Sequence, residues 1–565
     1  MENRRFMLIA FVGVVLFFIY QAWQKDHAGQ PAAAVPTEAA AAPAAAPSAA
    51  AAIPGGEGNP VAATAAATPE ATAVNTAAGA RIRVQTDKLN VEISLTGGEL
   101  RRVELVGYPV AKNRPNDNLA LLDDSANHWF VLQSGLATPQ QTLTSPQTVF
   151  TSAQASYTLA PGADSVDVPL EYTDASGYTV LKTYRFKRGS YDIVLDQQIK
   201  NAGGAALNVS PYVQLRQTPS NQKESSHFGG IHTFDGIAYY EQKSGTENYR
   251  FEKTKFEDLH KDPVNVQQKG GWLAMLQHYF IAVIIPPAGE SNTLSAKPGS
   301  TLGYLAQYVG SAASVAPRAD HTFSTQVYLG PVLQKTIGAV APGLDLAVDY
   351  GLLSPVATLL FWVMNFFHQL THNWGVAIIL LTLLVRGLMY PLSEKQYRSM
   401  AKMKKFAPRI AELKERYAGD RERMSKAMME LYKKEGFNPL AGCWPLVIQF
   451  PVFLSLYWVL LDSVELRQAP FMLWINDLSA ADPSFVLPVL FGISMFLQQR
   501  LSGTQVADPM QQRVMQMMPI LMAAFFAFFP SGLVLYYVVS NATGITQQWL
   551  INRKLEKEGL GRSPR

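Results

Sequence analysis

One cysteine, Cys443, in an apolar stretch leaves this chain with no disulfide framework and no cysteine metal cluster. Charge is also scarce. Only 16% of the 565 residues are Asp, Glu, Lys or Arg, and the formal net charge is +4. So small a balance carries no nucleic-acid footprint, which excludes DNA as an expected partner. The G-x-x-x-x-G-K-[ST] nucleotide loop and the H-E-x-x-H zinc helix are both missing, and no pair of acids lies in the apolar segments. The chain is therefore expected to be no enzyme, to hydrolyse no nucleotide, and to need neither cofactor nor metal. Residues 25–80 are Ala, Pro, Thr and Gly with almost no large apolar side chain, so they cannot bury enough surface to offset chain entropy. They read as a disordered tether.

What is present divides the chain. Residues 1–24 hold an apolar run from Phe6 to Tyr20 behind Arg4 and Arg5. A cleavable secretory signal and an uncleaved membrane anchor both fit. The poor small-residue site after Tyr20 (Gln21, Ala22, Trp23, Gln24, Lys25) favours the anchor. Residues 81–335 change to short runs of alternating polarity punctuated by Gly, Asn, Asp and Pro, as in Tyr178 to Phe186, which predicts a large antiparallel β-sandwich. It shows no catalytic constellation. His227 and His232 near Glu224 lie in a polar, Gly-rich loop and read as solvated.

The C-terminal part is apolar. Residues 374–392, 440–461, 484–501, 514–529 and 533–551 are candidate membrane helices. Residues 356–370, within a linker at 336–371, are shorter and begin after a Ser354-Pro355 pair suited to a helix start. The loop 393–438 carries 13 basic against 7 acidic residues, and the tail 552–565 carries 5 against 2. Residues 462–483 carry four acids and one base. The positive-inside rule places the first two in the cytoplasm and the last outside. A crossing by 356–370 would reverse that, so this segment is expected to lie in the outer interface. Six spans result, both termini cytoplasmic, with the β unit on the far side. Inside loop 393–438, Tyr397, Met400, Met403, Ile410, Leu413 and Tyr417 recur at helical spacing, which predicts a helical hairpin restarted at Pro408. Its charged face abuts the membrane, within reach of anionic lipid or ribosomal RNA.

Arg386 is the residue that sets the functional question. It lies about 18 Å along the helix from Trp374 and about 9 Å from Leu392 at 1.5 Å per residue. A central arginine costs roughly 2.5–3.5 kcal/mol on insertion scales. It either snorkels from near the helix end or faces a wet, positive cavity. Thr382 stacks on the same face, four residues away. Tyr537, Asn541, Gly544 and Gln548 form a polar stripe on the last apolar helix, and Gln449 sits between Pro445 and Pro451. Each polar group by itself suits an interhelical hydrogen bond. Together with the charge they favour a hydrated groove. Pro445, Pro451 and Pro519 are candidate helix breaks.

At these residues the chain resembles the YidC/Oxa1/Alb3 family of bacterial membrane protein insertases, in its Gram-negative form. The carrying stretches are V-R-G-L-M-Y-P-L around Arg386, Y-R-S-M-A-K-M from Tyr397 and N-P-L-A-G-C-W-P-L-V-I-Q-F-P-V-F from Asn438. V-E-L-R-Q-A-P-F from Val464, D-P-M-Q-Q-R-V-M from Asp508 and F-P-S-G-L-V-L-Y-Y-V-V-S-N from Phe529 continue it. The resemblance implies a multi-domain membrane protein: an α-helical bundle of six transmembrane helices whose conserved five-helix core occupies residues 372–551, plus a periplasmic β-supersandwich related to sugar-binding folds. It implies a location in the Gram-negative inner membrane and a groove open to the cytoplasm and lipid. The family's groove arginine falls on Arg386, and its substrate-contacting positions fall on Thr382 and Tyr537. Implied partners are nascent inner-membrane proteins, the Sec translocon with its accessory subunits, and the translating ribosome through cytoplasmic loops and tail. A small-solute or lipid transporter and a passive scaffold beside Sec are the alternative functions; no internal repeat supports the transporter.

Overall fold

The computed structural model describes residues 79–558 except 126–127, 219–233, 244–247, 300–302, 349, 351–352, 399–408, 410–411, 414–415, 418–419, 435–443 and 503–508. The expected anchor, most of the tether, His227, His232, Pro408, Cys443 and the end of the tail lie outside the described residues.

Between Arg81 and Pro331 every described regular element is a strand, apart from one 3-10 turn at Phe256–His260. Alternation explains the layering. Along Tyr178–Lys187, buried and half-buried residues alternate almost to the end of the strand, so one face is apolar and needs a cover. Val180, Tyr184, Phe186, Ile193 and Leu195 of an eight-stranded sheet supply one inner face, and Ile82, Val91, Ile93, Phe130 and Leu132 of an eleven-stranded sheet supply the other. Among the described residues all strand pairings are antiparallel except one, the short strand Ser156–Thr158, which runs parallel to Arg81–Gln85. A purely antiparallel expectation misses it, because only a long connection brings this segment back to the sheet edge.

The apolar alternation also buries a lysine. Lys182 occupies an inward position between Val180 and Tyr184 and is fully enclosed. Its Nζ donates to the carbonyls of Gly97 and Ser134 at 2.9 Å and of Gly98 at 3.3 Å. Burial drives its pKa down to about 7, with the carboxylate of Glu99 opposing that shift.

Among the described residues eight α-helices follow. Helix α1 (Ser354–Thr371) buries Ala357, Leu360, Phe361 and Met364 at helical spacing, while Leu359, Trp362, Phe366 and Leu370 stay exposed. It ends on His372 in the left-handed region. Helix α2 (Trp374–Leu388) starts under a cap in which the Asn373 side-chain oxygen accepts the Val376 N–H at 3.1 Å. Its Gly375 is required: a Cβ there would sit 2.1 Å from the Phe471 ring. Helix α3 (Tyr390–Arg398) is bent from α2 by 55°. The straight span expected over 374–392 is thus corrected. Pro391 has no N–H for the Gly387 carbonyl and disfavours helix just before it, so the chain turns at Met389.

Then come α4 (Arg421–Lys434), α5 (Trp444–Asp462), α6 (Val486–Ser502), α7 (Pro509–Phe526) and α8 (Ser531–Lys557). The expected breaks at prolines are corrected too. Pro451 and Pro519 lie inside continuous helices, and Pro445 is the second residue of α5, where no helical N–H is needed. Among the described residues no single helix is both long and apolar enough to cross a membrane; α2 and α3 pass that test only as a bent pair.

The loop between α5 and α6 fastens the bundle to the β unit. Arg467 and Gln468 donate to the Pro109 carbonyl at 2.9 and 3.0 Å, and Glu465 accepts the Gln334 N–H at 3.2 Å. The start of α8 is held at the same end, with Ser531 and Gly532 N–H groups bonded to the Ala480 and Leu478 carbonyls. The apolar core of the bundle, including Leu381, Leu460, Phe491, Phe526 and Leu533, is separate from that of the sandwich.

Candidate functional site

Arg386 stands on the last turn of α2, on the half of the bundle away from the β unit. Its Nε donates to the Ser540 hydroxyl on α8 at 2.8 Å. Two turns further along α8, the Gln547 amide donates to the Arg386 carbonyl at 2.9 Å, which satisfies a backbone oxygen that the approaching helix end leaves free. The guanidinium carbon passes within 3.9 Å of where a Cβ on Gly544 would be. Helix α8 therefore presents Tyr536, Ser540, Gly544 and Gln547, at spacings of four, four and three, as one side facing α2. Among the described residues no carboxylate lies within ion-pair distance of Arg386. The side chain is partly buried and held through neutral partners, with no acidic partner among the described residues.

The stripe expected from sequence shares Gly544 with the one that meets Arg386 and is otherwise offset by one residue. Tyr537 points instead into an aromatic cluster, with ring centroids 5.2 Å from Phe453, 5.6 Å from Phe491 and 4.9 Å from Phe526. Asn541 donates to the Ser494 hydroxyl on α6 at 3.0 Å. Gln548 is buried. Gln449 of α5 donates to the Tyr536 hydroxyl at 2.7 Å, one turn toward the β unit from Ser540. Thr382 is fully buried, and its hydroxyl is spent on the Ile378 carbonyl of its own helix at 2.6 Å. The structure thus joins Arg386 and Gln449 to the same side of α8 through Ser540 and Tyr536. It sets Thr382, Tyr537 and Asn541 in packed surroundings beside that line.

Sequence reasoning missed Ser540, Gln547 and Tyr536. Their spacing was readable, but two polar stripes on α8 fit equally well, and only packing selects one. The aromatic cluster around Tyr537 lies between Arg386 and the end of the bundle that carries the β unit. It fills that side with packed rings. At the other end, Arg398 of α3 bonds Glu558 at 2.6 Å and Glu394 at 3.0 Å, and Lys554 bonds Glu394 at 3.0 Å. These exposed pairs tie the end of α3 to the end of α8, each worth little alone but acting as a network.

Chemically, the arrangement supplies one cation, several amides and hydroxyls, and a wall of rings. It has no nucleophile–base pair and no donor set for a metal among the described residues. It suits attraction of an anionic or polar segment.

Comparisons with known proteins agree over the whole length. The family model described as 60Kd inner membrane protein matches residues 366–558, and the model described as YidC periplasmic domain matches residues 81–363. A protein named membrane protein insertase YidC from Methylococcus capsulatus is 41% identical over 558 residues, covering 99% of both chains. Its namesake from Pseudomonas putida is 41% identical over 562 residues, covering 98% of this chain and 99% of that one. Among solved structures, an active YidC insertase crystal structure with the first transmembrane domain resolved aligns at 18% identity with a TM-score of 0.37. It covers 83% of this chain and 92% of that one.

Proposed function

This chain belongs to the YidC family of membrane protein insertases, and from that premise we propose that Arg386 is the charge through which it engages its clients. The protein is an insertase of the inner membrane, built of a helical membrane unit and a large β domain, and its substrates are membrane proteins. The proposed orientation puts the β unit in the periplasm and α4, the α2–α3 bend and the end of α8 toward the cytoplasm, in line with the charge asymmetry of the loops.

The observation that carries the reading is the guanidinium held by Ser540 with no acidic partner among the described residues. In the low-dielectric half of a bilayer, such a charge attracts an acidic or polar segment far more strongly than it does in water. A client segment drawn there is met by amides and hydroxyls that replace part of its hydration, so its desolvation cost falls. The ring cluster around Tyr537 stops it from passing straight through. The client's apolar helix then moves into lipid along α5 and α7, whose exposed Phe450, Met517, Ile520 and Leu521 offer an apolar track. Burial at about 25 cal/mol per Å² completes the step. The membrane potential adds roughly 2.3 kcal/mol per charge per 100 mV and favours acidic segments leaving outward. No nucleotide is hydrolysed in this scheme. The basic face of α4 and the tail form the proposed contact with the ribosome and anionic lipid, and the Sec translocon is a proposed partner for larger clients.

The test is reconstitution of the purified full-length protein alone in liposomes. Insertion of a small single-span client without Sec or nucleotide supports the proposal; solute flux with no insertion overturns it.

A further inference from the structure

A cavity of about 890 Å³ lies where the β unit meets the helical bundle, at the opposite end from Arg386. Four permanent cations line it: Lys88 and Lys112 from the β unit, Lys335 from the linker, and Arg467 from the α5–α6 loop. Arg467 and Lys112 are already engaged, with the carbonyls of Pro109 and Asn476. Lys88 and Lys335 make no ion pair among the described residues. The lining holds a single carboxyl, Glu465, whose pKa burial raises, against these four basic side chains.

The floor of the cavity is the junction of α1 and α2. There the Trp374 indole stacks on the His368 ring, with centroids 3.9 Å apart and planes within 8°. On its other side α1 turns Leu359, Trp362, Phe366 and Leu370 outward and leaves them largely exposed. Cations beside an aromatic platform, bordered by an exposed apolar helix face, form a divided surface: charge for a head, hydrocarbon for a tail.

We propose that this cavity binds the phosphate headgroup of an anionic phospholipid of the outer leaflet, with Lys88 and Lys335 as its phosphate contacts and the outer face of α1 against its acyl chains. A phosphodiester suits two flexible ammonium groups that approach from different elements, since each acts as a point charge without a fixed fork. The volume falls in the range of small-molecule pockets, large enough for a glycerophosphate head and too large for one inorganic ion to fill. Bound there, one lipid touches the β unit, the linker and α1 together and fixes their mutual angle. The inference rests on the orientation proposed above but not on the role of Arg386.

Native mass spectrometry of the full-length protein in detergent tests it, with phosphatidylglycerol, phosphatidylethanolamine and soluble sn-glycerol 3-phosphate as probes. The wild type is expected to retain one phosphatidylglycerol in preference to phosphatidylethanolamine, without displacement by glycerol phosphate. K88Q/K335Q should weaken that retention about tenfold or more, while K88R/K335R keeps it and reports that the fold survives. Arg386→Ala should retain the lipid while slowing insertion of acidic clients, which separates failure of this inference from failure of the groove reading. Unchanged phosphatidylglycerol retention in K88Q/K335Q, or equal retention of phosphatidylethanolamine, overturns the lipid site. Displacement by glycerol phosphate overturns it in favour of a soluble phosphate ligand.

Discussion

Arg386 on α2 and Ser540 on α8 are joined by a 2.8 Å hydrogen bond between residues 154 positions apart. The serine accepts from the guanidinium and brings no negative charge, so it fixes the direction of Arg386 and leaves its field intact. Ser540→Ala is therefore expected to lower insertion of acidic clients several-fold, while Ser540→Thr, which keeps the hydroxyl, preserves most of it. A hydrogen bond to a charged group is worth about 1.5–3 kcal/mol, an upper bound here because the arginine is only partly buried. Insertion rates in liposomes check this; equal rates for Ala and wild type would remove Ser540 from the account.

Gly375 and Gly544 make opposite predictions from the same kind of geometry. A Cβ on Gly375 would sit 2.1 Å from the Phe471 ring, whereas one on Gly544 finds its nearest neighbours at 3.4 and 3.9 Å. Gly375→Ala is expected to destabilise the bundle by about 1–3 kcal/mol through overpacking, with Gly544→Ala neutral or slightly stabilising. Thermal unfolding of the two variants in detergent decides between them.

Tyr537 acts in the structure through its ring. Tyr537→Phe should be nearly silent, and Tyr537→Ala should cost about 3 kcal/mol by opening a void among Phe453, Phe491 and Phe526. Because that cluster lies on the β-unit side of Arg386, the Ala variant is also expected to leak ions across liposomes. A tight Tyr537→Ala membrane would mean the rings are not the outer seal.

Lys182 gives a pH dependence outside the membrane. Burial lowers its folded pKa from 10.5 to about 7. Between those values the folded protein has released the proton and the unfolded chain still holds it. Stability of the β unit should accordingly rise from pH 7 toward 10.5. Below pH 7 both states are protonated and the unfavourable burial of charge is felt in full. Denaturant unfolding of the full-length protein, followed through the β unit, should show this rise in the wild type and not in Lys182→Met. The same slope in both would assign it elsewhere.

Much of the architecture was legible because two periodicities differ so sharply. Alternation along Tyr178 to Phe186 announced strands, and long apolar runs bounded by charge marked α2, α5, α6, α7 and α8 near their observed ends. The bend at Met389 was also present in the sequence, as Pro391, but hydropathy reads through a proline that only the backbone feels. Lys182 sits on the apolar phase of its strand, a signal that composition averages hide. The site was legible in its charge and illegible in its partners. Arg386 stands out alone, yet Ser540 and Gln547 compete with Asn541 and Gln548 one position away, and a rotation of about 100° about α8 separates the two choices. Thr382 looked like a groove residue from its spacing, but its hydroxyl closes on Ile378, an outcome that depends on how tightly α8 packs.

The most direct test of the central claim compares acidic-tailed and neutral-tailed versions of one single-span client, inserted by wild type, Arg386→Lys and Arg386→Ala in the same liposomes. The account predicts that Arg386→Ala slows the acidic client about tenfold or more, equivalent to about 1.4 kcal/mol, and the neutral one far less, with Arg386→Lys close to wild type. Equal slowing of both clients, or none of either, would contradict it.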